Sequence, residues 1–323
     1  MRLAFILDPL DSIKTYKDTS YAMMQEAVAR GYRLSVMRQE DLVWESGQLS
    51  CYAQDLELTG NGKDWYRVTE RRALSPLDFD CILMRKDPPF DMEYVYSTYL
   101  LELAEQHGTP VYNRPAAIRD FNEKLSIARF PQFTVPTLVT RHESLIRDFA
   151  DQHVDVILKP LDGMGGASIF RSRHDDPNLG VIIETLTLLG KRTIMVQRYI
   201  PEIVDGDKRV LVIDGEPVPY TLARIPKPRE HRGNLAAGGR GVAMPITARE
   251  REIAESIGPE LKAQGLLLVG LDVIGGNLTE VNVTSPTCMR EIHDQTGCNV
   301  AGMFIDALER NAGRETPSAR ARR

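Results

Sequence analysis

At 323 residues, 42% hydrophobic and 26% charged, the chain can bury a large core without disulfide or metal staples and has the composition of an ordinary folded protein. A formal net charge of -5 offers no nucleic-acid surface. Four cysteines without CxxC spacing fit a reducing compartment. No apolar run reaches transmembrane length. Asp8 and Asp11 break the amino-terminal apolar run before a signal-peptide core is complete, so a cytoplasmic location without a membrane partner is expected.

RLAFILD reads as a buried strand, and Ser20 to Arg30 as a helix presenting Ala22, Met23, Ala27 and Val28 to a core. RLSVM is a second strand. The stretch from Leu49 to Ser75 lacks long apolar runs and reads as a hairpin or surface excursion. DFDCILMRKDPPFD runs a strand into a proline-stiffened loop, YVYSTYLLELAEQHG is a helix with a glycine stop, and TPVYNRP is a short strand. Strands alternating with helices through residue 121 predict a small open α/β domain with a parallel sheet. Sites in such sheets gather at the carboxyl ends of strands. That rule brings Asp8, Arg85 to Asp87, and Asn113 with Arg114 toward one edge. A dinucleotide site is not supported, because DPLD, not GxGxxG, follows the first strand.

From Asn122 the pattern changes. NEKLSIARF starts a helix with Lys124 near its beginning; TVPTLVT, VDVILKP and GGASIF read as strands, and HESLIRDFADQH as a helix. Another helix spans about Leu179 to Leu189, a strand Thr193 to Gln197, and KRVLVIDGEPVPYTLARIP is a hairpin turning at Asp214 and Gly215. Residues 226–241 carry glycines, Arg232, Asn234 and Arg240 but few apolar anchors, the composition of an anion-gripping lid. TAREREIAESIGPELKAQG is a helix, LLLVGLDVIGGNLTEVNV a strand pair, and CMREIHD and AGMFIDALERNAG short closing helices. Residues 313–323 form a polar, frayed tail.

Two clusters carry the chemistry. In VILKPLDGMGGASIF, Lys159 ends an apolar strand beside Gly163, Gly165 and Gly166, a pairing of point charge and unobstructed backbone amides that suits a polyphosphate. Lys124 is a second phosphate clamp. The absence of a GK[ST] ending points away from the common P-loop ATPases and toward another way of covering phosphates, such as a glycine-rich hairpin. In LDVIGGNLTEVNV, Glu280 and Asn282 project from one face of a strand and Asp272 comes alongside across the Gly275–Gly276 turn, three hard oxygen donors of the kind magnesium takes. Asp207 and Arg209 repeat the two-residue spacing toward the nucleotide or acceptor. None of the dispersed histidines forms a zinc spacing, and no histidine is placed in sequence to pair with Cys288.

Seven segments together, DPLDSIKTYKDTS, ILMRKDPPFD, NRPAAIRDFNEKL, ILKPLDGMGGASIF, GDKRVLVIDGEPVPY, ARIP with RGNLAAGGRG, and GLDVIGG with TEVNVTSPT, resemble the prokaryotic glutathione synthetases of the ATP-grasp superfamily. The resemblance implies an α/β and α+β chain in which a small parallel-sheet domain, residues 1–121, precedes an ATP-grasp domain, residues 122–312. It also implies ATP-dependent joining of γ-glutamylcysteine and glycine through an acylphosphate, with two magnesium ions that manganese can replace, and a homotetramer. Carried over position by position, Lys124 and Lys159 bind phosphates, Gln197 and Tyr199 border the adenine, Asp207 contacts nucleotide, and Asp272, Glu280 and Asn282 hold metal. Arg209 and Arg224 oppose the developing charge. Arg232 and Arg240 belong to a closing loop, and the peptide lies near Arg85, Lys86, Asp87, Ser285, Pro286 and Thr287. Other ATP-grasp carboxylate–amine ligases, such as D-alanine ligases, and a noncatalytic ATP-binding regulator share the lysines and metal cluster; the MRKDPPFD and TSPT stretches favour the glutathione reading.

Overall fold

The computed structural model describes residues 1–60, 62, 64–163, 165–228, 230, 233, 235 and 238–312. Short apolar runs build the first sheet. β1 (Arg2–Ile6) is flanked in parallel by β2 (Arg33–Met37) and β7 (Cys81–Met84), and β7 pairs in parallel with β8 (Val111–Tyr112). β1 and β7 are buried on both faces, as expected when helices cover both sides of a parallel sheet. Those helices are α1 (Thr19–Ala29), α2 (Met92–Gln106) and α3 (Pro115–Asp120), the first two started by Asp18 and Asp91 carboxylates accepting backbone N–H groups.

The Leu49–Ser75 excursion is part of this sheet. β3 (Leu42–Glu45) and β4 (Gln48–Leu58) form a hairpin, and β4 pairs antiparallel with β2, β5 (Tyr66–Val68) and β6 (Arg72–Leu74). Alternating burial along β4 explains the missing apolar run: a strand wet on one face carries a polar residue at every second position.

The remaining chain forms two antiparallel sheets. β9 (Thr137–Thr140), β10 (Asp155–Pro160), β11 (Phe170–Arg173) and β12 (Ile194–Arg198) make one, in the order β11-β10-β12-β9, backed by α4 (Glu143–His153) and α5 (Leu179–Thr187). The other runs β15-β14-β13-β16-β17, from β13 (Asp207–Ile213), β14 (Glu216–Ile225), β15 (Arg240–Pro245), β16 (Leu268–Ile274) and β17 (Asn277–Asn282). α6 (Ala248–Ala263), which starts in a capping box between Thr247 and Glu250, covers one face of it. Two expected elements are shorter. The glycine-rich stretch turns through residues 165–168 and becomes a strand only at Phe170. The helix expected from Asn122 is instead a 3-10 turn, Leu125–Arg129, followed by a second at Pro131–Phe133, because the Asn122 side chain caps the Lys124 and Leu125 N–H groups and Pro131 ends the first turn. The expected tail lies outside the described residues. Among the described residues, no helix is long and apolar enough to cross a membrane.

α7 (Met289–Thr296) and α8 (Val300–Asn311) return to the first sheet, so one apolar cluster joins Leu3, Phe5 and Leu83 to Leu211, Leu222, Phe304 and Leu308. Arg30, which caps the end of α1, reaches Asp306 and Glu309 on α8 at 2.6 and 3.0 Å. Asn113 stitches the same seam: its amide nitrogen donates to the Leu268 and Val283 carbonyls, both at 2.7 Å, and its oxygen accepts from the Leu268 N–H at 2.9 Å. Its position at a strand end thus serves packing between sheets. Asn113→Ala strands three buried backbone groups and should cost about 3 kcal/mol, read as a lower denaturation midpoint; a midpoint equal to the parent's would show that the seam carries no such load.

Candidate active site

Strand alternation and register decide which side chains meet on the face of the five-stranded sheet opposite α6. Asp207 lies opposite Arg224, Arg209 opposite Asp272, Asp272 opposite Glu280, and Gly270 opposite Asn282. All six polar side chains therefore project from one face. Gly270 leaves the space filled by the Arg209 stem: a Cβ there would stand 2.8 Å from Arg209 Cδ and 3.0 Å from Pro286 Cβ. Thr279 is the extra residue of a bulge between β16 and β17; its hydroxyl donates to the Asp272 carbonyl at 3.1 Å and its own carbonyl accepts from Lys159 Nζ at 3.4 Å.

The charges on this face compensate one another. Arg209 Nε donates to Asp272 at 2.7 Å, and Arg224 reaches Asp207 at 2.5 Å and Asp272 at 2.7 Å. Burial alone would raise the Asp272 pKa, but the Arg209 and Arg224 guanidiniums overcome it and hold the carboxyl at about 2. Asp207 is pushed up to about 6, because burial together with the nearby Asp272 and Glu280 charges outweighs Arg224. Its Oδ1 is buried with no hydrogen-bond partner among the described residues, an acceptor suited to a ligand hydroxyl or amine.

Facing this sheet, the four-stranded sheet contributes Lys159 from β10, and Lys124 comes from the segment joining the first sheet to the second. Their Nζ atoms stand 3.6 and 3.8 Å from Glu280 Oε1. Lys124 also donates to the Gly163 carbonyl, while burial lowers the Lys159 pKa against the pull of Glu280. Gly165 and Gly166 adopt φ of 62° and 82°, left-handed conformations that glycine enters without a Cβ penalty. Between the sheets lies a cleft of about 450 Å³, lined by Lys124, Lys159, Gly163, Gly165, Gly166, Gln197, Tyr199, Asp207, Arg209, Arg224, Asp272, Glu280 and Asn282. Gln197 is fixed by donation to Thr137 Oγ1 at 3.0 Å, and the Arg171 guanidinium stacks 3.7 Å from the Tyr199 ring centre.

The oxygen donors suit a hard divalent cation. Asn282 donates its amide nitrogen to the Gly270 carbonyl at 3.0 Å, leaving its amide oxygen available beside the Asp272 and Glu280 carboxylates.

The first sheet closes the far end of the cleft through Ser12, Lys14, Lys17, Asp18 and Asp87, opposite Ser285, Pro286 and Thr287. Ser285 donates to Asp87 at 2.5 Å. Arg85 and Lys86 sit outside the lining. Arg85 is buried behind it, donating to Ser20 Oγ at 3.1 Å and the Pro286 carbonyl at 2.9 Å, and Lys86 pairs with Asp8 at 2.8 Å. Arg240 is exposed at the start of edge strand β15, and Arg232 and Asn234 lie outside the described residues. Cys288 is buried in the lining with its thiol pKa raised by that burial, the opposite of what an activated nucleophile needs. Sequence reasoning missed Asp18, Glu123 and Glu291, which also line the cleft. Each lies inside a quoted segment, DPLDSIKTYKDTS, NRPAAIRDFNEKL or CMREIHD, where nothing sets a lone carboxylate apart.

Residues 1–119 match the family model of the prokaryotic glutathione synthetase N-terminal domain, and residues 123–297 that of its ATP-grasp domain. The chain is 62% identical to the glutathione synthetase of Nitrosomonas europaea over 98% of its own length and 99% of the relative's. It is 58% identical to that of Ralstonia nicotianae over 97% of each chain. Among solved structures, D-cycloserine synthetase DcsG superposes with a TM-score of 0.68 at 14% identity, over 97% of this chain and 100% of that one. A RimK domain ATP-grasp protein from Sphaerobacter thermophilus reaches 0.62 at 19% identity, over 95% and 99%. At these identities the structural likeness establishes the ATP-grasp fold.

The buried charge cluster gives a pH prediction. Because the Asp272 pKa falls from 3.8 to about 2 on folding, its carboxylate stabilises the fold fully above about pH 4, and that contribution is lost as pH falls toward 2. Asp272→Asn leaves two buried guanidiniums short of counter-charge and should cost about 3–5 kcal/mol at neutral pH. Denaturant melts of both proteins near pH 7 and pH 3 should show the gap narrowing at acid pH; an equal gap at both would refute this account.

Proposed function

The chain belongs to the prokaryotic glutathione synthetases and is an ATP-dependent ligase of glutathione synthesis; we propose that it joins the carboxylate of γ-glutamylcysteine to the amine of glycine through an acylphosphate. The observation that carries this reading is the facing of two phosphate-suited lysines and a glycine-rich turn against an arginine-paired set of oxygen donors, across one cleft that also opens to the first sheet. ATP and a divalent metal are the requirements that family membership brings. A pair of magnesium ions, replaceable by manganese, belongs to the finer proposal.

In the first step a substrate carboxylate oxygen bonds to the γ-phosphorus of ATP, the bond to the β-phosphate oxygen breaks, and ADP leaves. In the second, the unprotonated glycine amine adds to the acyl carbon, and as the tetrahedral species collapses phosphate departs with the bonding pair and carries off the proton that the nitrogen gives up. No protein nucleophile is needed, so the protein's work is to position substrates and stabilise charge. Lys124 and Lys159 balance the phosphates, with the 163–166 turn offering backbone amides. A divalent ion held by Asp272, Glu280 and Asn282 would neutralise phosphate charge. Arg209 and Arg224, with one edge of each guanidinium turned to Asp272 and Asp207, bring their charge and remaining N–H groups to the acylphosphate and the tetrahedral oxyanion. Gln197 and Tyr199 border the adenine and Asp207 takes a further nucleotide contact. Residues 122–312 form the nucleotide side, where the expected 226–241 stretch, which holds Arg232 and ends as Arg240 and Gly241 open β15, shields the acylphosphate from water. Residues 1–121 form the peptide side, where Asp87, Ser285, Pro286 and Thr287 meet the peptide; Arg85 and Lys86 contribute by holding that wall. Homotetrameric assembly and a cytoplasmic location complete the reading.

Purified protein given ATP and magnesium should release ADP only when γ-glutamylcysteine and glycine are both present, with glutathione detected by mass. ADP release without glutathione would redirect the assignment to another carboxylate and amine pair. Arg224→Ala should lower kcat at least about 100-fold, the loss of about 3 kcal/mol expected for one oxyanion-stabilising group, while nucleotide affinity by calorimetry changes less than tenfold. Matching losses in both would remove Arg224 from the transition-state role.

A further inference from the structure

β17 is the last strand of its sheet. It carries Glu280 and Asn282, whose inner partners lie on β16, yet among the described residues its outer edge has no neighbouring strand to take its N–H groups. Glu123 occupies that edge. Its backbone carbonyl accepts from the Val281 N–H at 2.8 Å. Its side-chain Oε1 accepts three further bonds, from the Val283 N–H at 3.0 Å, the Thr284 N–H at 3.1 Å and the Thr284 hydroxyl at 2.8 Å. One residue thus supplies the acceptors that a missing strand would have supplied at 281 and 283, and then holds the chain as it leaves the strand. Its successor is Lys124, which reaches both Glu280 and the Gly163 carbonyl.

We infer that Glu123 is a positioning residue that locks the oxygen-donor strand β17 to the phosphate lysine Lys124, so that metal and nucleotide phosphates meet a single preset frame. The inference rests on the function proposed above, and it assigns Glu123 no contact with substrate. A carboxylate is the side chain for this role, since one ionised oxygen accepts several N–H and O–H donors at once, which a hydroxyl or a lone backbone carbonyl cannot match. Burial raises the Glu123 pKa while the Thr284 backbone and hydroxyl bonds lower it.

Because all three side-chain bonds end on Oε1, glutamine keeps the acceptor while losing the charge. Aspartate, one methylene shorter, loses the reach, and alanine loses everything. Magnesium-ADP binding to the full chain should weaken at least tenfold in Glu123→Ala by calorimetry, and backbone amides of 281–284 should exchange with deuterium faster. The KM for glycine should stay within about twofold. Glu123→Gln should restore both nucleotide affinity and amide protection. Parent-like affinity and protection in the alanine variant, or an equal rise in KM for all three substrates, would overturn the inference. Should the alanine variant not fold, the remaining pair decides: weak binding with aspartate and restored binding with glutamine supports the lock, and equal behaviour of the two overturns it. Affinity and exchange are measured without turnover, so failure of the lock and failure of the assigned reaction read out separately.

Discussion

Mutual neutralisation of buried charge on one sheet face is the constraint on which the site depends. Arg209, Arg224, Asp207 and Asp272 are each less than a tenth exposed, and any one of them isolated would cost several kcal/mol. They are tolerable only because adjacent antiparallel strands set cation opposite anion in register. The α6 side of the same strands carries Val210, Leu271, Val273 and Val281 in an apolar cluster. A single alternating pattern therefore builds a dry face that fixes the sheet and a charged face already oriented when substrate arrives, which spares the reorganisation that water would demand.

The parts of this arrangement visible in the sequence are those governed by short periods. The two-residue spacings of Asp207 with Arg209 and of Glu280 with Asn282 foretell a shared face, and the Asp214–Gly215 hairpin brings Arg224 opposite Asp207. Lys159 is legible because it ends an apolar run before glycines. Family resemblance adds the roles, which spacing alone leaves open among several nucleotide-using ligases. Arg209 and Arg224 are understood as a bridge over Asp272 only from the coordinates, since sequence does not tell a guanidinium facing substrate from one spent on a neighbour.

What sequence withheld depends on contacts between distant segments. Arg85 has the charge of a peptide-binding residue, yet its guanidinium is taken by Ser20 and by a carbonyl 201 residues away. Asn113 has the strand-end position of a functional residue and serves as a bracket between sheets. Glu123 sits beside a recognised lysine with nothing in its local pattern to mark it, because the N–H groups it satisfies are 160 and 161 residues further on. The Thr279 bulge escapes for a related reason: one unpaired residue in a strand shifts side-chain facing by a step that alternation assumes constant.

The packing of α8 and α7 against the first sheet has a consequence for how the chain is made. Leu3 and Phe5, synthesised early, are buried in a cluster that includes Phe304, Ile305 and Leu308, synthesised late. A nascent chain carrying only residues 1–121 would show water an apolar surface that its own later helices are meant to cover. The expected boundary at residue 121 therefore does not close off a core of its own, and synthesis must run almost to the end of α8 before the amino-terminal segment acquires its native exterior.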